Sequence, residues 1–199
     1  MTMTHDTSSP PMTTSVSRLQ VLDGDSLNPR LQRQMKNLES ALGYVPNWLK
    51  SWTLGHAHAA RLVDFLLPLL DTGGDNTLPY ADRELLAAVT SAANGCSYCR
   101  LNHVATLGSV LGDRHLATRV ALDYRDVDEL TDRQRALADF AVALAGDAHD
   151  VDAAAFDKLR GFGLSDEQIF EAMLVITVFC AANRLTISMN VRPDDQFFE

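Results

Sequence analysis

The amino-acid sequence predicts an all-α protein, and three kinds of observation support that fold class. Helix start signals recur: Asn28-Pro29 places a capping residue before proline, and Thr131-x-x-Gln134 and Ser165-x-x-Gln168 are capping boxes ahead of apolar segments. Glycine or proline follows most apolar segments, as at helix ends. No segment alternates apolar and polar residues with the two-residue period of a half-buried strand. We therefore expect roughly seven to nine helices and no sheet.

The first half of the chain contains four predicted helices. Asn28-Pro29 opens the first helix, which closes at Gly43, and the segment VPNWLKSW begins a short second helix. A third helix, apolar on one broad face, covers residues 56–70 and stops at the sequence DTGGDN. Leu78-Pro79 opens the fourth helix, which runs to the break at Asn94-Gly95.

The second half contains further helices whose ends are also marked. One covers residues 96–111 and stops at Gly112, and Asp113 caps a short helix after it. The two capping boxes each begin another helix. The second box leads into a long helix that ends near Asn190, with Pro193 just beyond it.

Length and composition favour one cytoplasmic domain. We expect a single all-helical domain over residues 18–199, preceded by a disordered tail, residues 1–17, which is rich in Thr, Ser and Pro and lacks the apolar core of a signal peptide. Lys and Arg total 17 against 26 Asp and Glu, a formal charge of -9, so neither nucleic acid nor an anionic membrane is an expected partner. No apolar run is expected to span a membrane.

Two of the three cysteines and one histidine lie within the segment NGCSYCRLNH. Gly95 ends one helix and Cys96 begins the next, so both sulfurs lie near a helix N-terminus, where free N–H groups and the helix dipole favour a thiolate. Cys99 follows Cys96 by one turn, and His103 follows Cys99 by four residues on the same face. An imidazole beside a thiol can accept its proton, as it does for cysteine nucleophiles.

Glu84 is the candidate proton acceptor on the preceding helix. If the chain folds back at Asn94-Gly95, Glu84 lies about 15 Å along one helix and His103 about 12 Å along the other, at about 1.5 Å per residue. A buried carboxylate at that height can fix the tautomer of His103 or relay its proton. The same geometry predicts that Cys99, one turn from His103, holds the base-assisted thiolate and that Cys96 is the more accessible sulfur.

Other interpretations of this motif remain open. A buried cysteine pair can be structural, and a zinc site could draw on Cys96, Cys99, His103 and Glu84 but lacks the second Cys or His pair typical of structural zinc. We expect no metal and no cofactor. A non-enzymatic redox sensor, whose disulfide changes the shape of the protein, is a different class of function. Cys180, in the apolar segment VITVFCAAN, is expected to pack in the core.

Glu84, eleven further residues and then Cys96-x-x-Cys99-x-x-x-His103 resemble the signature of the alkylhydroperoxidase D-like proteins, in the carboxymuconolactone decarboxylase superfamily. The segments LGYVPNWLKSW, SAANGCSYC, LTDRQRALADFAVAL and LSDEQIFEA resemble its peroxidase-related branch, so the similarity covers roughly residues 42–193. The resemblance implies an oligomeric multi-helix bundle whose dithiol reduces peroxides. It also implies that Cys99 is the peroxidatic thiolate, Cys96 the resolving thiol, and Glu84 with His103 the proton relay.

The resemblance further implies substrates and partners. The expected reaction is the reduction of a hydroperoxide, with an external dithiol such as a lipoyl group or a thioredoxin-like protein as the reductant. A decarboxylase or lactone-processing enzyme is the alternative that the superfamily name suggests, although it leaves the thiol pair idle. A homo-oligomer is expected from the resemblance and from the apolar segments 59–70 and 174–179. Tyr98 stands where the founding enzyme has a histidine, which implies a shorter relay and a weaker peroxidase.

Overall fold

The computed structural model describes residues 15–23 and 26–198. Over these residues the protein has α-helices joined by turns and short 3₁₀ segments and has no β-strand, which confirms the predicted all-α fold class. The helices are α1 (Pro29–Leu42), α2 (Asn47–Ser51), α3 (His56–Leu69), α4 (Tyr80–Ala93), α5 (Ser97–Leu111), α6 (Arg114–Asp123), α7 (Asp132–Gly146), α8 (Ala153–Gly161) and α9 (Asp166–Met189).

Helix α4 lies at the centre of the bundle. It packs against α5, α6, α7 and α9, and every residue from 82 to 91 is buried. Ala87 and Ala88 are both fully buried, and such small side chains let neighbouring helices approach closely. Because Glu84 belongs to this central helix, its carboxylate is held in the most enclosed part of the protein.

Local sequence signals set several helix ends. The Asn28 side chain accepts a hydrogen bond from the second residue of α1, and both predicted capping boxes form, with Thr131 and Ser165 as the caps of α7 and α9. α1 and α5 end at Gly43 (φ 82°) and Gly112 (φ 67°), in the left-handed conformation that glycine adopts without strain. The predicted helix order is therefore confirmed at these positions.

A few boundaries differ from the prediction. Cys96 caps α5 and does not belong to it, α3 ends at Leu69, and Asn190 (φ 49°) is the left-handed cap that follows α9. Helix α8 was not predicted as a separate element. Its start is nevertheless marked in the sequence, because the side chain of Asp152 accepts the backbone N–H of Ala155.

The segment before α1 runs beside the end of α9. The backbone N–H of Arg18 donates to the carbonyl of Met189 at 2.7 Å, and the N–H of Arg192 donates to the carbonyl of Val16 at 2.9 Å. The predicted disordered tail, residues 1–17, lies outside the described residues except for its last three. Of those three, Val16 takes part in this contact with the C-terminal segment.

Helix α9 is long and apolar enough, by length and composition, to cross a membrane. This contradicts the expectation that no apolar run reaches such a length. Half of its most apolar window is buried against the rest of the protein, however, and a core helix passes the same test of composition. Helix α9 therefore gives no indication of a membrane location.

Candidate active site

The candidate site lies where α4 turns into α5. Gly95 has a φ of 69°, and the backbone N–H of Cys96 donates to the carbonyl of Ser91 at 2.9 Å. Glycine adopts a positive φ readily because it has no Cβ. The chain reverses direction within this short turn and so brings Glu84 of α4 beside His103 of α5.

Glu84 and His103 form a buried hydrogen bond. His103 Nδ1 lies 2.8 Å from Glu84 Oε2, and the two residues are 6% and 1% exposed, respectively. The contact that the helix rise predicted is therefore present. A carboxylate beside Nδ1 holds the proton of the neutral imidazole on that nitrogen, which leaves Nε2 as the basic atom.

Tyr80, Asn102 and Phe179 surround this pair. Burial, together with the nearby Glu84 carboxylate, raises the pKa of Tyr80 to about 12, so the phenol stays neutral at physiological pH. Asn102 Nδ2 lies 3.4 Å from His103 Nε2. The Phe179 ring meets the imidazole edge to face, with centroids 4.6 Å apart. These contacts hold the carboxylate and the imidazole in one orientation.

Cys96 and Cys99 are free thiols in direct contact. Their Sγ atoms lie 2.8 Å apart, and Cys96 Sγ also accepts the backbone N–H of Cys99 at 3.4 Å as the N-cap of α5. A disulfide requires a separation of about 2.05 Å, so a movement of less than about 1 Å would close the bond. The pair is therefore well placed for reversible oxidation.

The pKa values of the two thiols shift in opposite directions. The pKa of Cys96 is lowered, chiefly by the hydrogen bond with Cys99 and also by backbone N–H groups at the helix start, against the cost of burial. The pKa of Cys99 is raised because its proton is held against the Cys96 sulfur and because the thiol is buried. Cys96 therefore ionises first, which differs from the prediction based on the spacing between Cys99 and His103.

A cavity of about 320 Å³ opens beside this pair. Cys99, Glu84 and His103 line the cavity, whereas Cys96 is not among its lining residues. Cys96 is 1% exposed and Cys99 is 7% exposed. The prediction that Cys96 is the more accessible sulfur is therefore wrong, because the capping position directs its sulfur to the backbone of α5 while Cys99 meets the cavity.

The rest of the cavity wall is mainly apolar. Trp48 and Trp52, from α2 and the residue after it, contribute aromatic rings, and Phe179 and Ala182 contribute the face of α9. The remaining lining residues include Leu38, Leu42, Pro46, Leu66, Leu67, Leu70, Tyr80, Tyr98, Asn102, Thr106 and Thr186. An apolar wall with a few polar groups at one end is typical of a small-molecule site.

Residues 57–107, which include Glu84, Cys96, Cys99 and His103, match the model of the carboxymuconolactone decarboxylase family. A solved structure of an alkylhydroperoxidase AhpD core, a peroxidase-related protein from Ralstonia eutropha JMP134, has 29% sequence identity and a TM-score of 0.85, covering 92% of this chain and 95% of that chain. These two matches support a place for the chain in the AhpD-like group of the carboxymuconolactone decarboxylase superfamily.

Two further structures support the fold of this AhpD-like protein. A peroxidase-related protein from Silicibacter sp. TM1040 has 27% identity and a TM-score of 0.83, with coverage of 94% of this chain and 97% of that chain. The debrominase Bmp8 shares the fold at 21% identity and a TM-score of 0.72, over 94% of this chain and 96% of that chain. No curated protein sequence matches the chain.

Asn183 of α9 is a site residue that no sequence pattern indicated. It is fully buried, its Oδ1 accepts a hydrogen bond from Asn94 Nδ2 at 2.9 Å, and its Nδ2 donates to Ser91 Oγ at 3.2 Å. The side chain of Asn183 also lowers the pKa of Cys96, as the hydrogen bond from Cys99 does. Only tertiary packing brings α9 to the start of α5, so spacing along the chain carries no signal for Asn183.

Tyr98, between the two cysteines, contacts the C-terminal segment of the AhpD-like chain. Its hydroxyl donates to the buried carboxylate of Asp194 and accepts the backbone N–H of Trp48 at 3.3 Å, while Asp194 also accepts the N–H of Asn47 at 2.8 Å. Burial and Asp194 raise the pKa of Tyr98, so its hydroxyl stays neutral. Tyr98 therefore links the cysteine motif to α2 and to the end of the chain.

Among the described residues, no three His, Cys, Asp or Glu side chains form a group that could hold a metal ion. The expectation that the protein binds no metal stays a prediction, which elemental analysis of the purified protein would test. Cys180 is partly exposed, and its Sγ lies 3.5 Å from Asn94 Nδ2. It packs at the edge of the core and not fully inside it, so the expectation for this cysteine holds only in part.

Proposed function

We propose that this AhpD-like protein is a thiol-dependent peroxidase, a dithiol oxidoreductase that reduces hydroperoxides through Cys96 and Cys99. The observation that carries the proposal is a close thiol pair with one sulfur on the wall of a cavity that Glu84 and His103 also line. A cysteine pair alone serves structure as readily as chemistry. A carboxylate–imidazole pair beside it supplies the base that activates a thiol.

The first step is the loss of one proton from the thiol pair. Cys96 ionises first, and His103 Nε2 takes the proton that leaves, with Glu84 stabilising the imidazolium. The remaining proton lies between the two sulfurs, which are 2.8 Å apart. When that proton moves from Cys99 to Cys96, the thiolate is on the sulfur that faces the cavity, so the order of ionisation is compatible with Cys99 as the peroxidatic residue.

The second step transfers one oxygen atom. The Cys99 thiolate attacks the terminal oxygen of the hydroperoxide, an S–O bond forms as the O–O bond breaks, and Cys99 becomes a sulfenic acid. The departing alkoxide takes the proton of the His103 imidazolium and leaves as an alcohol. Cys96 sulfur then attacks the Cys99 sulfur, and the hydroxide that leaves combines with the Cys96 proton to form water. The peroxide gains two electrons and the dithiol loses two.

An external dithiol restores the enzyme by exchange with the Cys96–Cys99 disulfide. Cys99 is the sulfur open to attack, since it lines the cavity and Cys96 does not. A slender lipoyl arm enters such a cavity more readily than the active-site surface of a thioredoxin-like protein. We place this cycle in the cytoplasm, where cellular dithiols keep cysteine pairs reduced.

A peroxide-consumption assay with several dithiol donors tests the proposal. We expect turnover by the wild-type protein and by Cys180→Ser, which removes a thiol outside the cavity, and no turnover by Cys99→Ser or Cys96→Ser. Mass spectrometry of the mildly oxidised protein should locate the loss of two hydrogens on the peptide that contains both motif cysteines. Equal turnover in Cys99→Ser and wild type, or a bridge to Cys180, would contradict the proposal.

The same assay separates the alternatives. A redox sensor would form the disulfide once and show no sustained turnover with any dithiol. A decarboxylase of the carboxymuconolactone type, the alternative that the name of the matched family suggests, would keep its activity in Cys99→Ser because that chemistry does not consume thiols.

A further inference from the structure

Arg100, at the end of the first turn of α5, is an exception among the arginines of this protein. Of those that the structure describes, the buried or half-buried ones are Arg83, Arg100, Arg119, Arg133 and Arg135. The other four are paired, three of them with a carboxylate and Arg135 with backbone carbonyls. The Arg100 side chain has no hydrogen bond or ion pair within the described part of the chain. A guanidinium carries five N–H donors and a permanent charge, so an unpaired one that is partly withdrawn from water is unusual.

The Arg100 side chain lines a second, smaller pocket of about 180 Å³. This pocket lies between the end of α4, the start of α5, α6 and α7, and no residue lines both it and the cavity that contains Cys99. Most of its wall is apolar and consists of Val89, Ala92, Ala93, Val120, Ala121, Leu122 and Val142. The guanidinium therefore borders an open space whose other walls are mainly aliphatic.

The charges around the pocket leave that of Arg100 unbalanced. Asp123 and Arg125 also line the pocket, but they pair with each other, since Nε and Nη2 of Arg125 donate to the two Asp123 oxygens at 2.8 and 3.0 Å. The hydroxyl of Tyr124, a further lining residue, donates to Asp139 at 2.8 Å. Arg100 is thus the free polar group of the described wall, and its planar guanidinium matches the two oxygens of a carboxylate.

The size of the pocket restricts the rest of the ligand. Its volume of about 180 Å³ is below the range of about 300–1,000 Å³ for drug-sized ligands, so it holds a short molecule. The protein has a formal charge of -9 and repels anions at long range, so an anion needs both direct contact with a guanidinium and burial of apolar surface to remain bound.

We propose that this pocket binds a short aliphatic carboxylate, with the carboxylate on Arg100 and the carbon chain against the alanines and valines of α4 and α6. The site lies outside the cavity of the thiol pair. Its occupation goes beyond the proposed peroxidase activity and does not depend on it.

Three probes test the chemistry of the ligand. Butyrate has the carboxylate and the chain, butyramide has the same chain without the charge, and acetate has the same charge on a shorter chain. In an NMR titration, butyrate should move the methyl signal of Ala121, in the wall of this pocket, and leave that of Ala182, in the wall of the thiol cavity, unchanged. Butyramide should bind at least about tenfold more weakly than butyrate, and acetate at least about fivefold more weakly.

Two variants test the two parts of the site. Arg100→Gln should weaken butyrate binding at least about tenfold and leave butyramide binding within about twofold, since it removes the charge alone. Arg61→Gln is the matched control, because Arg61 is an exposed arginine of α3 that also lacks a side-chain partner among the described residues. Ala92→Leu fills the apolar part of the pocket and keeps the guanidinium, so it should reduce butyrate binding to the level of acetate.

Four results would overturn the inference. Equal binding of acetate and butyrate would mean that Arg100 forms only a solvated surface ion pair. Equal binding of butyrate and butyramide would mean that the charge of the ligand is not recognised. Unchanged butyrate binding in both Arg100→Gln and Ala92→Leu would exclude this pocket, and a shift of the Ala182 signal alone would place the ligand in the thiol cavity. No peroxide enters these measurements, so their failure leaves the proposed function untouched, and a protein that consumes no peroxide can still bind butyrate at Arg100.

Discussion

Cys96 and Cys99 occupy different environments, so their substitution should have different effects. Cys99→Ser should abolish the single-turnover reaction with peroxide, because it removes the sulfur on the cavity wall. Cys96→Ser should react once and stop, leaving a sulfenic acid on Cys99 that a dimedone trap detects. His103→Ala should retain both thiols but slow the first step by about a hundredfold or more. If Cys96→Ser loses the first step while Cys99→Ser keeps it, the roles are reversed.

Asn183 should influence the pH at which the dithiol reacts. Asn183→Asp replaces an amide donor by a carboxylate, and both the lost hydrogen bond and the added negative charge disfavour the Cys96 thiolate. The pKa of the pair therefore rises, and the single-turnover rate, which increases with pH as the thiolate forms, should reach its midpoint about one pH unit higher. Stopped-flow measurement across the pH range checks this shift.

Asn190→Asp makes the same chemical change at an exposed position just after α9 and should leave the pH profile of the reaction unmoved. An unchanged midpoint in Asn183→Asp, with an intact thermal unfolding transition, would show that Asn183 has no influence on the thiols. A structural defect alone would lower the rate at all pH values without moving the midpoint.

At the residue scale, a contact between two site residues could be predicted only when the residues lie close together in the sequence. Glu84 and His103 lie on consecutive helices joined by one tight turn, so counting the helix rise was enough to predict their contact. Asn183 reaches Ser91 and Asn94 across about ninety residues of sequence, and its contact depends on how α9 packs against α4. The opposite pKa shifts of the two thiols could not be predicted from their spacing, because they depend chiefly on the hydrogen bond between the two sulfurs.

At the element scale, Glu171 of α9 hydrogen-bonds to the residues just before α4 and so holds the two helices together. Its Oε2 accepts the backbone N–H groups of Thr77 and Leu78 at 2.7 and 3.2 Å, and Oε1 lies 3.6 Å from Nε of the buried Arg83. Arg83 also donates to the carbonyls of Leu78 and Leu69. Leu78, Arg83 and Glu171 are buried, so each depends on the others for its hydrogen bonds.

Glu171→Ala should therefore lower the free energy of unfolding by about 3 kcal/mol, since it leaves the Arg83 guanidinium buried without its counter-ion. Urea denaturation followed by circular dichroism measures the loss. Glu167→Ala removes an exposed carboxylate one turn earlier on the same helix and should change stability by less than about 0.5 kcal/mol. Similar small losses for both variants would mean that the Glu171 contacts contribute little.

The predictability of the helices follows from where their stabilising contacts lie. Helices α1, α7 and α9 have caps formed by residues within four positions of the helix start, so the sequence marks their ends. Helix α8 has only one buried residue, Leu159, and a sequence with so little apolar patterning did not suggest a separate helix. Helix α9 is long and apolar because half of its most apolar window is buried in the core. The number of apolar residues in the sequence does not show that burial.

At the scale of the whole molecule, one ground for expecting an oligomer changes. In the segment 174–179, Val175, Ile176, Val178 and Phe179 are at most 3% exposed, so they are already buried within one chain. Phe65, in the segment 59–70, remains 45% exposed. Within that segment only Leu174 and Thr177 are not buried, so it offers a second copy less apolar surface than the sequence suggested.

A stripe along the outer face of α9 is the apolar surface available to a second copy. Phe170, Leu174, Thr177, Ala181, Leu185 and Ser188 recur at helical spacing, and none of them carries a charge. Phe170 is 59% exposed and Leu185 is 39% exposed. The stripe extends over about 27 Å on a protein whose formal charge of -9 makes two copies repel each other at long range. A homo-oligomer that covers the stripe removes apolar surface from water and keeps the acidic surfaces apart.

We therefore expect light scattering at micromolar concentration to give a mass well above that of the 21.8 kDa chain. Leu185→Lys should lower that mass, because it places a charge in the stripe where the partner copy would bury it. Leu122→Lys is the matched control, since Leu122 is 71% exposed and lies on α6, away from the stripe. A monomeric wild-type protein would contradict the expectation. Equal masses for the wild type and both variants would place the subunit contact on another face, because a lysine buried in an apolar interface weakens it.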